Sequence, residues 1–289
     1  MKINVYTLNS FAKTKAGGNP AGVVFNADSL SADKMKKIAA VLGFSETAFV
    51  MKSNAADFKI RFFTPNEEVD LCGHATIAAF YAMASLKLLK QGKYTQETKA
   101  GILGVEIYDD NFIMMNQSPP IFYEIADKNE IADSLNIPSY QLSDNLFPQV
   151  VSTGIKDIIV PVKSIKILDS IKPDMQKIKN ISQKYDAVGY HVFSLESLHS
   201  ANAYCRNFAP LYGIPEESAT GTSSGALACY LYRYGIIKEN HASDILFEQG
   251  YSMKRPSEIR VSLTVNESDI IQVKVGGTAM SLTSKEIEI

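Results

Sequence analysis

The sequence predicts an α+β fold of two similar halves, each with short strands enclosing one central helix. Three observations carry this. Short strand patterns rich in Phe, Val and Ile recur in both halves. Each half has one helical segment that is apolar on every side. The motif Arg61-Phe62-Phe63-Thr64-Pro65 returns as Arg206-Asn207-Phe208-Ala209-Pro210, each followed by an acidic loop and a Gly-bearing approach to the apolar helix. A helix without a polar face has to be enclosed by protein, and strands around it are the economical enclosure.

Lys2 to Leu8 and Ala21 to Phe25 read as an antiparallel strand pair, with Gly17, Gly18, Asn19 and Pro20 supplying the turn. Ser31 is placed to cap an outer amphipathic helix over Ala32 to Leu42, with Gly43 as its left-handed stop. Strands follow at Thr47 to Met51, Phe58 to Phe63, Gly104 to Tyr108 and Phe112 to Asn116. Among them, Ala75 to Leu86 is the enclosed helix. The second half repeats the order with an outer helix at Asp174 to Tyr185, strands at Ala187 to Leu195 and Ala201 to Phe208, and an enclosed helix at Gly225 to Tyr234. Pro119 and Pro120 cannot join a central ladder, so the boundary falls beside Gln117 and Ser118, leaving two lobes with a cleft between them.

The 289 residues are 46% hydrophobic and 21% charged, with 29 basic against 31 acidic side chains, a balance that argues against a nucleic-acid partner. No uncharged run reaches the roughly 18 residues of a membrane span, and the N-terminus lacks a secretory pattern. Cys72, Cys205 and Cys229 fit neither a disulfide framework nor paired zinc ligands, and His74, His191, His199 and His241 are scattered. A reducing cytoplasmic location is expected, with no metal.

The approaches to the enclosed helices read Asp70-Leu71-Cys72-Gly73-His74-Ala75-Thr76 and Glu217-Ser218-Ala219-Thr220-Gly221-Thr222-Ser223. The first amides of a helix lack intrahelical partners and sit at the positive end of its dipole, so either mouth suits a carboxylate. Equally, Gly73 and Gly221 could serve only a tight turn, with Thr76 and Thr222 as caps. Glu46 lies in the apolar stretch Gly43 to Val50, where lost solvation would raise its pKa towards that of a general base; the same residue could instead point outward from a strand. His74 is either a donor to a bound molecule or a partner for its own loop. Cys72, beside a helix start, could carry a proton as one half of a two-base racemase, but Thr220 holds the matching place in the second loop.

Gly18-Asn19-Pro20-Ala21-Gly22, Phe44-Ser45-Glu46-Thr47-Ala48-Phe49, Glu68 to Thr76, Ala219-Thr220-Gly221-Thr222, Gln249-Gly250 and Arg255-Pro256-Ser257, with the two Arg-Phe motifs, run in the order found in the PhzF, or phenazine biosynthesis-like, isomerases. The chain resembles that family from residue 18 to 257. The resemblance implies the diaminopimelate epimerase-like fold, two pseudo-symmetric lobes each with a mainly antiparallel, barrel-like sheet around a central helix, with residues 1–117 and a returning tail, 277–289, in one lobe and 118–276 in the other, an active site at the cleft, and a homodimer. It implies a cofactor-independent isomerase acting on a small carboxylate, with Glu46 moving a proton between carbons. His74, Asp70 and Glu217 would contact the substrate. Asn19 and the mouths formed by Gly73, Ala75 and Thr76 and by Gly221, Thr222 and Ser223 would bind it. The chain departs from the family pattern at Glu217, where Asp is usual, at Ser218, where Pro is usual, and at Lys254, where Gly is frequent.

Overall fold

A computed structural model describes residues 2–267 and 269–289. The chain divides into two compact units, one built from residues up to Asn116 with Gly276–Ile289, the other from Gln117–Val275.

In the first unit, β1 (Lys2–Ser10) pairs antiparallel with β2 (Asn19–Val24), and α1 (Ala32–Leu42) then leads to β3 (Thr47–Met51), parallel to β2. α1 starts on Ser31, whose side chain accepts from the Lys34 amide, and stops on Gly43 at φ 69. It buries only Met35, Ile38, Ala39 and Leu42, as an outer amphipathic helix should. β4 (Phe58–Phe63) pairs with β3 and with the short β5 (Glu68–Val69). α2 (Gly73–Ser85) follows, then β6 (Gly92–Thr98), β7 (Gly101–Ile107) and β8 (Ile113–Gln117). Ile77, Ala78, Ala79, Phe80 and Ala82 are fully buried, because α2 is packed against β1, β2, β3 and β7.

The second unit begins with β9 (Ile121–Ile125), α3 (Lys128–Ser134), β10 (Gln149–Ser152) and β11 (Lys156–Val162). α4 (Ile165–Ser170) and α5 (Met175–Lys184) lead to β12 (Tyr190–Ser194), parallel to β11, and β13 (Ala203–Ala209), antiparallel to β12. β14 (Ile214–Glu217) precedes α6 (Gly221–Arg233), which lies against β10, β11 and β12 with Ala226 to Leu231 fully buried. β15 (Ile245–Gln249), β16 (Ser257–Asn266), β17 (Asp269–Gly277) and β18 (Ala279–Glu288) complete the chain, β18 pairing along β1 in the first unit.

The internal repeat holds in side-chain detail. Arg61 forks onto Glu68 at 2.7 and 2.8 Å, and Arg206 forks onto Glu216 at 2.9 Å through both nitrogens. Each guanidinium also stacks over the Phe two residues on, at 5.0 and 4.9 Å. Thr76 Oγ1 donates to the Cys72 carbonyl and Ser224 Oγ to the Thr220 carbonyl, both at 2.8 Å. The registers agree: Thr47 faces Phe63 as Tyr190 faces Phe208, and Phe62 faces Val69 as Asn207 faces Glu217.

Two expectations need correction. Both enclosed helices start earlier than read, at Gly73 and Gly221, since a glycine at the first helical position needs no continued periodicity to join the helix. Thr76 and Thr222 do not cap them. The N-cap residues are Cys72 and Thr220, neither making a side-chain capping bond.

Candidate active site

Glu46 ends the link from α1 to β3, where its carbonyl accepts from the Gly22 amide at 3.3 Å. That bond pins its backbone against β2 and directs the side chain inward, leaving it 12% exposed. Burial raises the pKa of its carboxyl, while hydrogen bonds from Ser45 and Cys72 pull the other way. His74, in the first turn of α2, is 5% exposed; its Nε2 is 3.3 Å from Glu46 Oε2 and 3.4 Å from Ser45 Oγ, and its Nδ1 is 3.4 Å from Cys72 Sγ. The approach to Oε2 lacks hydrogen-bond alignment, and that oxygen is buried with no hydrogen-bond partner among the described residues. An unsatisfied buried acceptor costs about 1–3 kcal/mol.

The donor atoms of Glu46, Cys72 and His74 lie within 4.8 Å of one another. Thiolate, imidazole and carboxylate together suit a soft divalent ion, but a carboxylate tied to a metal could not move protons. Base and ligand are therefore competing uses of Glu46.

α2 presents its first amides beside this cluster. Cys72, at its N-cap, makes no side-chain capping bond to the helix, and the helix start is the positive end of its dipole. An added Cβ on Gly73 would meet only Met115 Sδ, at 3.8 Å, so packing does not demand a glycine there. Asn19 is buried at the start of β2 opposite Ser10, whose hydroxyl donates to the His74 carbonyl at 2.6 Å. Ala75 and Thr76 are fully buried in the same turn. Asp70 is exposed on the approach to α2.

In the second unit Thr220 Oγ1 donates to Glu217 Oε2 at 2.7 Å. Gln249 clamps the loop from the far side, accepting from the Thr220 amide at 3.1 Å and donating to the Glu217 carbonyl at 2.8 Å. Gly250, at φ 82, lies where a Cβ would come within 2.5 Å of the Ser218 carbonyl, which accounts for the Gln-Gly pair. Lys254 takes a left-handed φ of 56, so a glycine is the easier residue there. Thr222 is 9% exposed, and Ser223, 1% exposed, donates to Asp157 Oδ2 at 2.7 Å.

The structure thus brings Glu46 and His74 together in one unit, and Glu217, Gly221, Thr222 and Ser223 together in the other. Asp157 and His191, both fully enclosed, were missed. Their signal was an acid at the head of the apolar run Ile158 to Val162 and a His inside Tyr190 to Ser194.

Comparison with known proteins places this arrangement. The family model described as phenazine biosynthesis-like protein matches residues 8–285. An uncharacterized isomerase of Clostridium acetobutylicum is 37% identical over 296 residues, covering 99% of this chain and 98% of its own. A trans-2,3-dihydro-3-hydroxyanthranilate isomerase of Pseudomonas chlororaphis is 29% identical, with 95% of each chain covered. Among solved structures, a PhzF-family phenazine biosynthesis protein of Bacillus anthracis superposes with a TM-score of 0.93 at 33% identity, each chain fully covered. Among the described residues no helix is long and apolar enough to cross a membrane.

Proposed function

Because the chain belongs to the phenazine biosynthesis-like family and is an enzyme of the isomerase class, we propose that it moves a proton between carbons of a small carboxylate-bearing, unsaturated metabolite, with Glu46 as the carrier. The observation behind this is the buried Oε2 of Glu46, 3.3 Å from His74 Nε2 and in no aligned hydrogen bond among the described residues. A carbon next to or conjugated with a carboxylate gives up its proton only if the resulting charge is held. Glu46 takes the proton, the electron pair spreads into the conjugated carboxylate, and Glu46 returns the proton to a second carbon. Atoms and charge balance without a co-reactant. Amides at Gly73 to Ala75 supply fixed donors for the developing charge, and His74 hydrogen-bonds the substrate.

Trans-2,3-dihydro-3-hydroxyanthranilate, acted on by the Pseudomonas relatives, is the first compound to try. Glu217 reaches one methylene further than the usual Asp and Ser218 frees the loop, so related cyclic acids belong in the same panel. In heavy water the wild-type protein should place deuterium on a carbon of one of them. No incorporation into any member of the panel would overturn the reading.

One observation favours a second reading, a two-base racemase: Cys72 hydrogen-bonds the Glu46 carboxyl and stands 3.4 Å from His74 Nδ1. It requires that Cys72→Ser and thiol reagents abolish turnover, whereas a single-carboxylate isomerase keeps it.

A further inference from the structure

The second unit holds a chain of buried polar side chains that the proposed chemistry leaves unused. Asp157 on β11 is 3% exposed, and its Oδ2 accepts from Ser223 Oγ at 2.7 Å. Ser223 Oγ accepts from Asn207 Nδ2 at 3.2 Å, and the same nitrogen lies 3.3 Å from His191 Nδ1. Asn207 is the cross-strand partner of Glu217.

The internal repeat shows what this chain replaces. Through the matched registers, Asp157, His191, Asn207, Glu217 and Ser223 correspond to Ala21, Ala48, Phe62, Val69 and Ala75. The first unit builds the same strands and the same helix start with apolar side chains at all five positions. The architecture therefore does not need the polar set, and burying a carboxyl without need is costly.

At the start of α6 two hydroxyls serve one acid each: Thr220 Oγ1 bonds Glu217 and Ser223 Oγ bonds Asp157, both at 2.7 Å. Two carboxyls gathered at one helix turn resist carrying two charges. We propose that Asp157 is a positioning residue that shares one proton with Glu217 and so sets the protonation of that carboxyl. Burial pushes the Asp157 carboxyl up to about 7, against the Ser223 hydrogen bond and with the help of the Glu217 charge. Among the described residues the titratable groups that bear on Asp157 are Glu217 on β14, through its charge, and, through Ser223 and Asn207, His191 on β12, which burial keeps neutral. Its cross-strand partner on β10, Val151, and Ser223 on α6 carry no charge. The bearing on catalysis rests on the isomerase reading; the shared proton does not.

The test is a carbon-13 NMR titration of the full chain labelled at aspartate side-chain carboxyls, from pH 5 to 9. The signal missing from Asp157→Asn should titrate near 7 in the wild type, move lower in Glu217→Gln and move higher in Ser223→Ala. A midpoint in the ordinary aspartate range, or one that Glu217→Gln leaves unmoved, overturns the shared proton. Should Asp157→Asn fail to fold, the signal displaced in Ser223→Ala identifies the group. Deuterium transfer by wild type without this titration would remove the pair and keep the isomerase reading; the titration without transfer would do the reverse.

Discussion

Gly189 holds in the second unit the place that Glu46 holds in the first. The Gly22 amide bonds the Glu46 carbonyl on the way into β3, and the Ile158 amide bonds the Gly189 carbonyl on the way into β12. A Cβ on Gly189 would stand 2.0 Å from the Phe208 carbonyl oxygen. The repeat therefore has room for a side chain at this position in one half only.

Gly189→Ala should cost about 3 kcal/mol or prevent folding, because the Phe208 backbone has to move. Urea denaturation decides this, and a loss below about 1 kcal/mol would mean that β12 and β13 separate more easily than their ladder suggests.

Gly73→Ala should behave oppositely. With only Met115 Sδ near, at 3.8 Å, a methyl at this helical position should leave stability unchanged or raise it by up to about 1 kcal/mol. The proposed activity should fall at least tenfold as the methyl crowds the α2 mouth. A stable variant with full turnover would show that no ligand approaches Gly73.

The two matched ion pairs should differ in strength. Arg206 and Glu216 are 8% and 17% exposed, whereas Arg61 is 24% exposed and Glu68 has a second cation, Lys99, at 3.2 Å. Removing one partner of a buried pair strands the other, so Arg206→Met should cost about 3 kcal/mol and Arg61→Met about 1–2 kcal/mol. Equal losses in thermal or urea unfolding would contradict this.

His191 and Asp157 should pull stability in opposite directions with pH. Burial lowers His191 from 6.5 to about 3, so the unfolded chain takes up a proton that the fold refuses, and this contribution is lost as pH falls below about 6.5. Asp157 is raised from 3.8 to about 7, so the fold binds its proton more tightly, and this contribution is lost as pH rises from about 4 to 7. Between pH 4.5 and 6.5, relative to wild type, Asp157→Asn should gain stability with rising pH and His191→Leu should gain it with falling pH. Each slope is limited to about 1.4 kcal/mol per pH unit. Parallel curves for the two variants would contradict both assignments.

Strand and helix periodicity made much of this fold legible. α1, β3 and β4 have the expected limits, because Ser31, Gly43 and the Phe-rich alternation are local signals. The helix starts were read late, since Gly73 and Gly221 carry no periodicity. Glu46 and His74 were legible as candidates, but their 3.3 Å approach was not: it depends on β3 running parallel to β2 and on α2 crossing beneath them. Asp157 stayed hidden because an acid in an apolar strand reads as an outward-facing position, and only the tertiary contact with Ser223 turns it inward.

Replacing Glu46 by glutamine keeps the shape of the side chain and removes its capacity to hold a transferable proton. With a substrate identified for the wild type, transfer of deuterium from heavy water to carbon should fall by at least a thousandfold in Glu46→Gln, while calorimetry shows the same compound still binding. Undiminished deuterium transfer by that variant would contradict the assignment of Glu46 as the proton carrier.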